Sequence, residues 1–324
     1  MNAITKTKAL ATLVALGLAL AAPAVLQDSG VRAQTPGAPS PGLRPPQSGP
    51  SGFENGSGSE NGSGPENDLA RRTHWAYQPP KKSPAPSVKN SAWPRGDLDR
   101  FVLANLESKN LAPVADADRL TLLRRVYFDL IGLPPSLDEV RAFMADSSAG
   151  SLAAVVDRLL ASPQFGERWG RHWLDVARYG ESTGKDVNTA YPHAWRYRDY
   201  VIASFNADKP IDRFIREQIA GDLLPAANDA QRAEQIIATG FLALGPKSVN
   251  DQNPRQFFLD VADEQIDTVS QAFLATTIAC ARCHDHKFDP IPTRDYYAMA
   301  GILKNSRALE HSNVSKWLEF PLPA

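Results

Sequence analysis

The sequence predicts an all-α fold, an irregular multi-helix domain preceded by a disordered tether. Three observations carry this reading. Apolar residues downstream of Gly96 recur at helical spacing, as Leu120, Leu123, Tyr127 and Leu130 do. Runs of alternating polar and apolar residues are absent, so no strand is expected. Gln34 to Asn67 is made of Gly, Ser, Pro, Asn and Glu, with Leu43 and Phe53 its large apolar side chains. Such a segment cannot bury enough surface to offset its chain entropy.

The elements follow in chain order. Lys6 and Lys8 precede an apolar run from Ala9 to Ala22. Small-residue cleavage sites stand at Ala22-Pro23-Ala24 and Val31-Arg32-Ala33. Residues 1–33 therefore read as a secretory signal peptide. The run is too short for a bilayer, which needs about 20 apolar residues, and no membrane span is expected after cleavage. The expected location is the periplasm or another exported compartment. Residues 34–68 form the tether, in which Glu54-Asn55-Gly56-Ser57-Gly58 is repeated at Glu60-Asn61-Gly62-Ser63-Gly64. Residues 69–95 are proline-rich and read as an extended arm packed on the domain through aromatics, beginning at His74-Trp75-Ala76-Tyr77.

Residues 96–310 form the helical domain, followed by a tail at 311–324. The helix carrying Leu120 to Leu130 stops at Gly132 and Pro134-Pro135. Ser136-Leu137-Asp138-Glu139 is the capping-box start of the next. Leu152, Val155, Val156, Leu159 and Leu160 make another stripe. Further helices are predicted near Arg168–Arg178, Ala194–Phe205, Asp212–Ala220, Gln231–Leu242, Asp260–Thr277 and Arg294–Leu303.

With 43% hydrophobic residues a sizeable core can form, and a net charge of -1 gives no reason to expect nucleic acid or an anionic membrane as a partner. The chain has two cysteines, which rules out a framework of disulfides. Both lie in Cys280-Ala281-Arg282-Cys283-His284. This is the spacing of covalent c-type haem attachment, with two cysteines for the two vinyl groups and the next histidine for the iron. The helix over Asp260–Thr277 is expected to deliver it. His286 and Met299 are weak candidates for the second iron ligand, with Met144, His172, His193 and His311 also competing. A methionine would raise the potential relative to bis-histidine. Two other chemistries fit the same residues: a Cys280–Cys283 disulfide, or a metal cage of Cys280, Cys283, His284 and His286, crowded by the standards of zinc sites.

Two other stretches stand out. Trp169 and Trp173 share a helix face beside His172, and Trp195, Tyr197 and Tyr200 alternate with Arg196 and Arg198. They read either as a packed helix pair, with the arginines on Glu167, Asp175 and Asp199, or as a wall for a flat cofactor or a sugar. Asp260, Asp263, Glu264 and Asp267 form a carboxylate face, read as a solvated surface or else as a cation site.

Arg119–Pro135 (RLTLLRRVYFDLIGLPP), Gly166–Tyr179 (GERWGRHWLDVARY), Ala194–Val201 (AWRYRDYV), Ile237–Pro246 (IATGFLALGP) and Asp263–Ile291 (DEQIDTVSQAFLATTIACARCHDHKFDPI) resemble the planctomycete cytochrome-type family of a domain of unknown function. The similarity runs from about His74 to about Leu303. It implies one covalent haem c on Cys280, Cys283 and His284, and a class and compartment rather than a reaction. Relatives in that family commonly carry a separate cytochrome c domain before this one and a second conserved domain of unknown function after it. Here the tether stands in front and the chain stops at Ala324, the pattern of a stand-alone or shortened module. The expected function is an exported electron-transfer module with a redox partner or companion cytochrome-type protein. The alternative is a non-haem metal-binding module that binds or processes a polysaccharide. No residue pattern names an enzymatic reaction.

Overall fold

The computed structural model describes residues 73–185, 187–309 and 317–323, all within one unit that spans 62–324. The segments read as signal peptide and tether, residues 1–33 and 34–68, lie outside the described residues. The described fold is all helical. Among the described residues, pairing of extended chain is limited to two isolated bridges, Ser182 with Ala190 and Leu309 with Trp317. Among the described residues no helix is long and apolar enough to cross a membrane.

Local chemistry sets where most helices start. Helix α1 (Asp97–Ser108) begins where the Asp99 carboxylate accepts the Arg95 and Gly96 N–H groups at 2.7 and 3.2 Å. Helix α2 (Arg119–Leu130) is capped by Asp118, which accepts from the Thr121 N–H at 2.9 Å. Helix α3 (Leu137–Ala145) opens on the expected capping box, with Ser136 N–H donating to Glu139 at 2.8 Å and Glu139 N–H to Ser136 Oγ at 3.3 Å. Helix α4 (Ser151–Leu160) follows, then α5 (Pro163–Val176), with proline in its first turn where no N–H is needed.

The core is built on α5 and α6 (Ala194–Asn206), which share the most extensive helix–helix contact. Gly166 permits it: a Cβ there would stand 2.5 Å from the Ile202 carbonyl oxygen. Asn206 then accepts the Gly166 N–H at 2.8 Å. Helices α7 (Ile211–Ala220), α8 (Asp229–Ala238) and the short α9 (Gly240–Ala243) close round this pair. Val201, Phe241 and Ile266 are wholly buried among them. The sequence pattern predicted one helix over Gln231–Leu242. Its two parts are separated at Thr239.

The arm differs from expectation. Trp75 is 82% exposed and Tyr77 is exposed too, whereas Trp93 is half-buried. The arm is pinned by its backbone, since Lys89 and Asn90 N–H groups donate to the Glu107 carboxylate at 2.9 to 3.0 Å.

Helix α10 (Pro254–Leu274) and α11 (Thr293–Leu303) complete the domain. Helix α10 starts six residues before the predicted Asp260, at an Asn253 cap that accepts from the Gln256 N–H at 3.1 Å. It also stops before Thr277. Ala275 takes the left-handed conformation at φ 51°, ψ 35°, and the Ala275 and Thr276 N–H groups both return to the Ser270 carbonyl.

Candidate functional site

The Cys-X-X-Cys-His segment is therefore not a continuation of α10. Residues Ile278–Arg282 form a separate 3₁₀ turn that packs against both α10 and α11. Ile278 and Ala281 enter the core and anchor it. Cys280 and Cys283 face outward as free, exposed thiols. Arg282 is held from behind: its Nη1 donates to Asp263 Oδ2 on α10 at 2.8 Å. Tyr296 Oη on α11 donates to the other Asp263 oxygen at 2.6 Å. Burial and the adjacent Asp263 carboxylate push the Tyr296 phenol well above its ordinary range, so it stays a donor. Tyr297 Oη donates to the Arg282 carbonyl at 3.2 Å. One carboxylate thus ties the turn to the helices on both sides.

The two histidines differ. His284 is exposed, and its Nδ1 lies 2.8 Å from the Asp285 carbonyl oxygen. A carbonyl can only accept, so Nδ1 carries the proton and Nε2 of the neutral ring keeps its lone pair. Nε2 has no hydrogen-bond partner among the described residues. His286 has a side chain only 6% exposed. Its Nδ1 accepts from the Phe288 and Asp289 N–H groups at 3.2 and 2.8 Å, so the proton sits on Nε2, which donates to Thr277 Oγ1 at 2.9 Å. Both His286 nitrogens are occupied. Asp285 Oδ1 accepts the Thr293 N–H at 2.8 Å and so caps the first turn of α11.

The other ligand candidates are dispersed. Met299 packs against the core cluster. Met144 is exposed on α3. His172 meets Trp169 edge-on, His193 stands 3.9 Å from Glu319, and His311 lies outside the described residues. Among the described residues no three His, Cys, Asp or Glu side chains converge as a metal-holding group.

Part of the aromatic stretch packs between α5 and α6, while Trp195 is exposed and Arg196 and Tyr197 line a cavity. Trp173 Nε1 donates to Tyr197 Oη and Gln218 Oε1, both at 3.0 Å, and Tyr197 Oη donates to Gln218 Oε1 at 2.5 Å. Arg171 pairs with Asp175, and Arg198 with Asp199 and Glu181. The carboxylate face is not simply solvated. Asp263 is used as described, and Glu264 pairs with Arg178, whose Nη2 reaches Oε2 at 2.8 Å.

Two buried charges escaped the sequence reading. Glu217 is fully buried and accepts from Lys209 Nζ, Arg213 Nε and Tyr200 Oη at 2.6, 2.7 and 2.9 Å. Lys247, 3% exposed, donates to the Ala243 and Leu244 carbonyls at 2.6 and 2.9 Å. The Arg213–Glu217 spacing was the one local signal for either. Cavities of about 590 and 240 Å³ are lined by Tyr191, Tyr197, Leu244 and Trp317, and by Phe258, Gln265 and Leu303. Neither includes a residue of the cysteine motif.

No curated protein and no solved structure matches the chain. A family model matches residues 97–308, from the first residue of α1 to a point beyond α11, with the cysteine turn inside the match. The chain belongs to the family described as Protein of unknown function (DUF1549), PSCyt2.

Proposed function

We propose that this chain is an exported protein carrying one covalent haem c on Cys280, Cys283 and His284, and that it serves as an electron-transfer module with a companion redox protein as partner. The observation that carries the reading is the state of His284. Its Nδ1–H is held by a backbone carbonyl and its Nε2 lone pair has no partner among the described residues. A carbonyl that holds Nδ1–H in this way fixes the tautomer and the ring orientation that an axial imidazole needs. The donor set fits the group in two further respects. The thiols are free and exposed, three positions apart, and no other cysteine competes with them. Attachment needs no oxidant: each S–H adds across a vinyl double bond, sulfur to one carbon and hydrogen to its neighbour.

Bound haem supplies one-electron chemistry at a potential set by its axial ligands and exposure. The chain's own part is positional. Asp263 holds Arg282 and Tyr296 and so fixes the turn between α10 and α11. Asp285 orients His284 through its carbonyl while its carboxylate caps α11.

Production in the periplasm of a host with cytochrome c maturation machinery tests the reading. A pyridine haemochrome spectrum of c type is expected, with an intact mass raised by one haem, and both are lost in Cys280→Ser/Cys283→Ser. An exported chain of apoprotein mass with no c-type spectrum overturns it. Elemental analysis showing zinc or calcium at one per chain without iron points instead to the non-haem metal reading.

A further inference from the structure

His286 is placed where it can close the whole motif into a loop. Thr277 lies immediately before the 3₁₀ turn and Asp289 lies after the histidines. The imidazole spans between them, donating from Nε2 to Thr277 Oγ1 and accepting at Nδ1 from the Phe288 and Asp289 N–H groups. Its own backbone N–H donates to the Ile291 carbonyl at 2.9 Å, and the Ile291 N–H to the Asp289 carbonyl at 2.7 Å. Everything from Ile278 to Asp285 thus sits inside a ring whose neck is one side chain. That side chain is nearly enclosed, at 6% exposure, whereas His284 two positions earlier is exposed.

We propose that His286 is a positioning residue that clasps the cysteine turn in the apoprotein and decides which histidine is available to a metal. The direction of each hydrogen bond makes the choice. A carbonyl facing His284 Nδ1 puts that proton on Nδ1 and frees Nε2. Two N–H donors facing His286 Nδ1 put the proton of the neutral ring on Nε2 and spend both nitrogens, against the pull of the Asp289 carboxylate, whose Oδ2 stands 3.4 Å from Nδ1. Adjacent histidines in His284-Asp285-His286 thereby hold opposite tautomers. For His286 to ligate through Nδ1 it would orphan two amides, and through Nε2 it would have to release Thr277 and lose its proton. His284 ligates at no such cost. The ligand assignment rests on the haem reading, whereas the clasp itself is a property of the chain without haem.

The test begins on the apoprotein, so its outcome does not depend on haem. Long-range proton–nitrogen correlation spectra of 15N-labelled protein, at mildly alkaline pH, are expected to show His284 protonated on Nδ1 and His286 on Nε2. His286 found protonated on Nδ1 overturns the proposal. Hydrogen exchange then measures the clasp. His286→Ala should speed exchange at the Phe288, Asp289 and Ile291 amides by about tenfold or more. Thr277→Val, which removes one contact and keeps the ring, should give a smaller rise at the same amides, and it serves where His286→Ala does not fold. His286→Gln, which keeps a donor and an acceptor, should restore much of the protection, and His284→Ala should leave it unchanged. Unchanged exchange in the folded His286→Ala variant, or in Thr277→Val where only that variant folds, overturns the clasp. In haem-loaded protein His286→Gln should keep its axial-histidine spectrum and His284→Ala should lose it, and the reverse pattern overturns the ligand assignment. If no variant takes up haem while the tautomers and exchange are as expected, the haem reading fails and the clasp stands.

Discussion

Lys247 shows how much one buried side chain can make stability depend on pH. Its ammonium faces the last carbonyls of the short helix α9 and the Tyr191 hydroxyl at 3.4 Å. Carbonyl dipoles at a helix C-terminus favour a cation but do not replace a counter-ion. Burial therefore lowers the group from 10.5 to about 8. Between those values the unfolded chain holds a proton that the folded chain has released, so folding stability from this group rises with pH across that window. Below about pH 8 both states are charged and the whole penalty applies, about 3 kcal/mol. The stability difference between the native chain and Lys247→Met should consequently move by about 2 kcal/mol in favour of the native chain between pH 7.5 and pH 9.5. Urea unfolding of both proteins at the two values measures it. Parallel pH dependence would show that the ammonium is not desolvated. Gly245 makes a steric case nearby. It holds φ 99°, and a Cβ there would stand 2.5 Å from Glu264 Oε1 and 2.7 Å from Arg178 Nε. Gly245→Ala is expected to cost about 2 kcal/mol or more by calorimetry, since both the backbone and the Arg178–Glu264 pair must shift.

Among the elements, α3 is the one whose start can be read from four letters and then tested by acid. Burial alone would raise the Glu139 carboxyl. Hydrogen bonds from the Ser136 N–H and hydroxyl, Tyr127 and Arg158 outweigh it and hold the group down at about 2. A carboxyl lowered from 4.5 stabilises the fold above pH 4.5, and this contribution is lost as pH falls towards 2. With the side chain about a third exposed, solvent screening reduces the effect to about 1–2 kcal/mol at neutral pH. Glu139→Gln should therefore cost about that much at pH 7 and roughly half as much at pH 3. Equal costs at both values would assign the loss to packing. This capping box was legible because Ser136 and Glu139 are three residues apart. The helix stripes were legible for the same reason, and so was the Cys280, Cys283, His284 spacing. The end of α10 was not. No glycine marks it, and the left-handed position that closes the helix is taken by Ala275, a residue with no special preference for it. The grip on the cysteine turn was equally hidden, since Asp263 lies 19 residues from Arg282 and 33 from Tyr296. Read in sequence, Asp260, Asp263, Glu264 and Asp267 look like one solvated face. In the fold, neighbouring carboxylates Asp263 and Glu264 serve different partners.

That division of labour organises the whole domain. Arg178 ends α5 in a left-handed conformation at φ 47° and turns its guanidinium onto Glu264 of α10, with Nη1 donating to the Phe241 carbonyl at 2.6 Å. Both partners are more than four-fifths buried, at 17% and 18% exposure. This pair joins the α5–α6 core to the helix that precedes the cysteine turn. Asp263, one position earlier, joins that helix to the turn and to α11. The two carboxylates should fail differently when neutralised. Glu264→Gln leaves a buried guanidinium without its counter-charge, a defect that typically costs about 3–5 kcal/mol, and it strikes where the central helices meet. It should lower global stability by about that amount, with exchange rising throughout the domain. Asp263→Asn removes a pair whose arginine is more exposed, at 37%, and should cost about 1 kcal/mol. Its effect should be confined to the amides of Ile278–Cys283 and the first turn of α11, opened by local rather than global unfolding. Denaturant unfolding and hydrogen exchange on the two variants measure the contrast. If Asp263→Asn proves as globally destabilising as Glu264→Gln, the cysteine turn is part of the central core. If it behaves as expected, the turn, although seated on the core through Ile278 and Ala281, opens locally while the domain behind it stays folded.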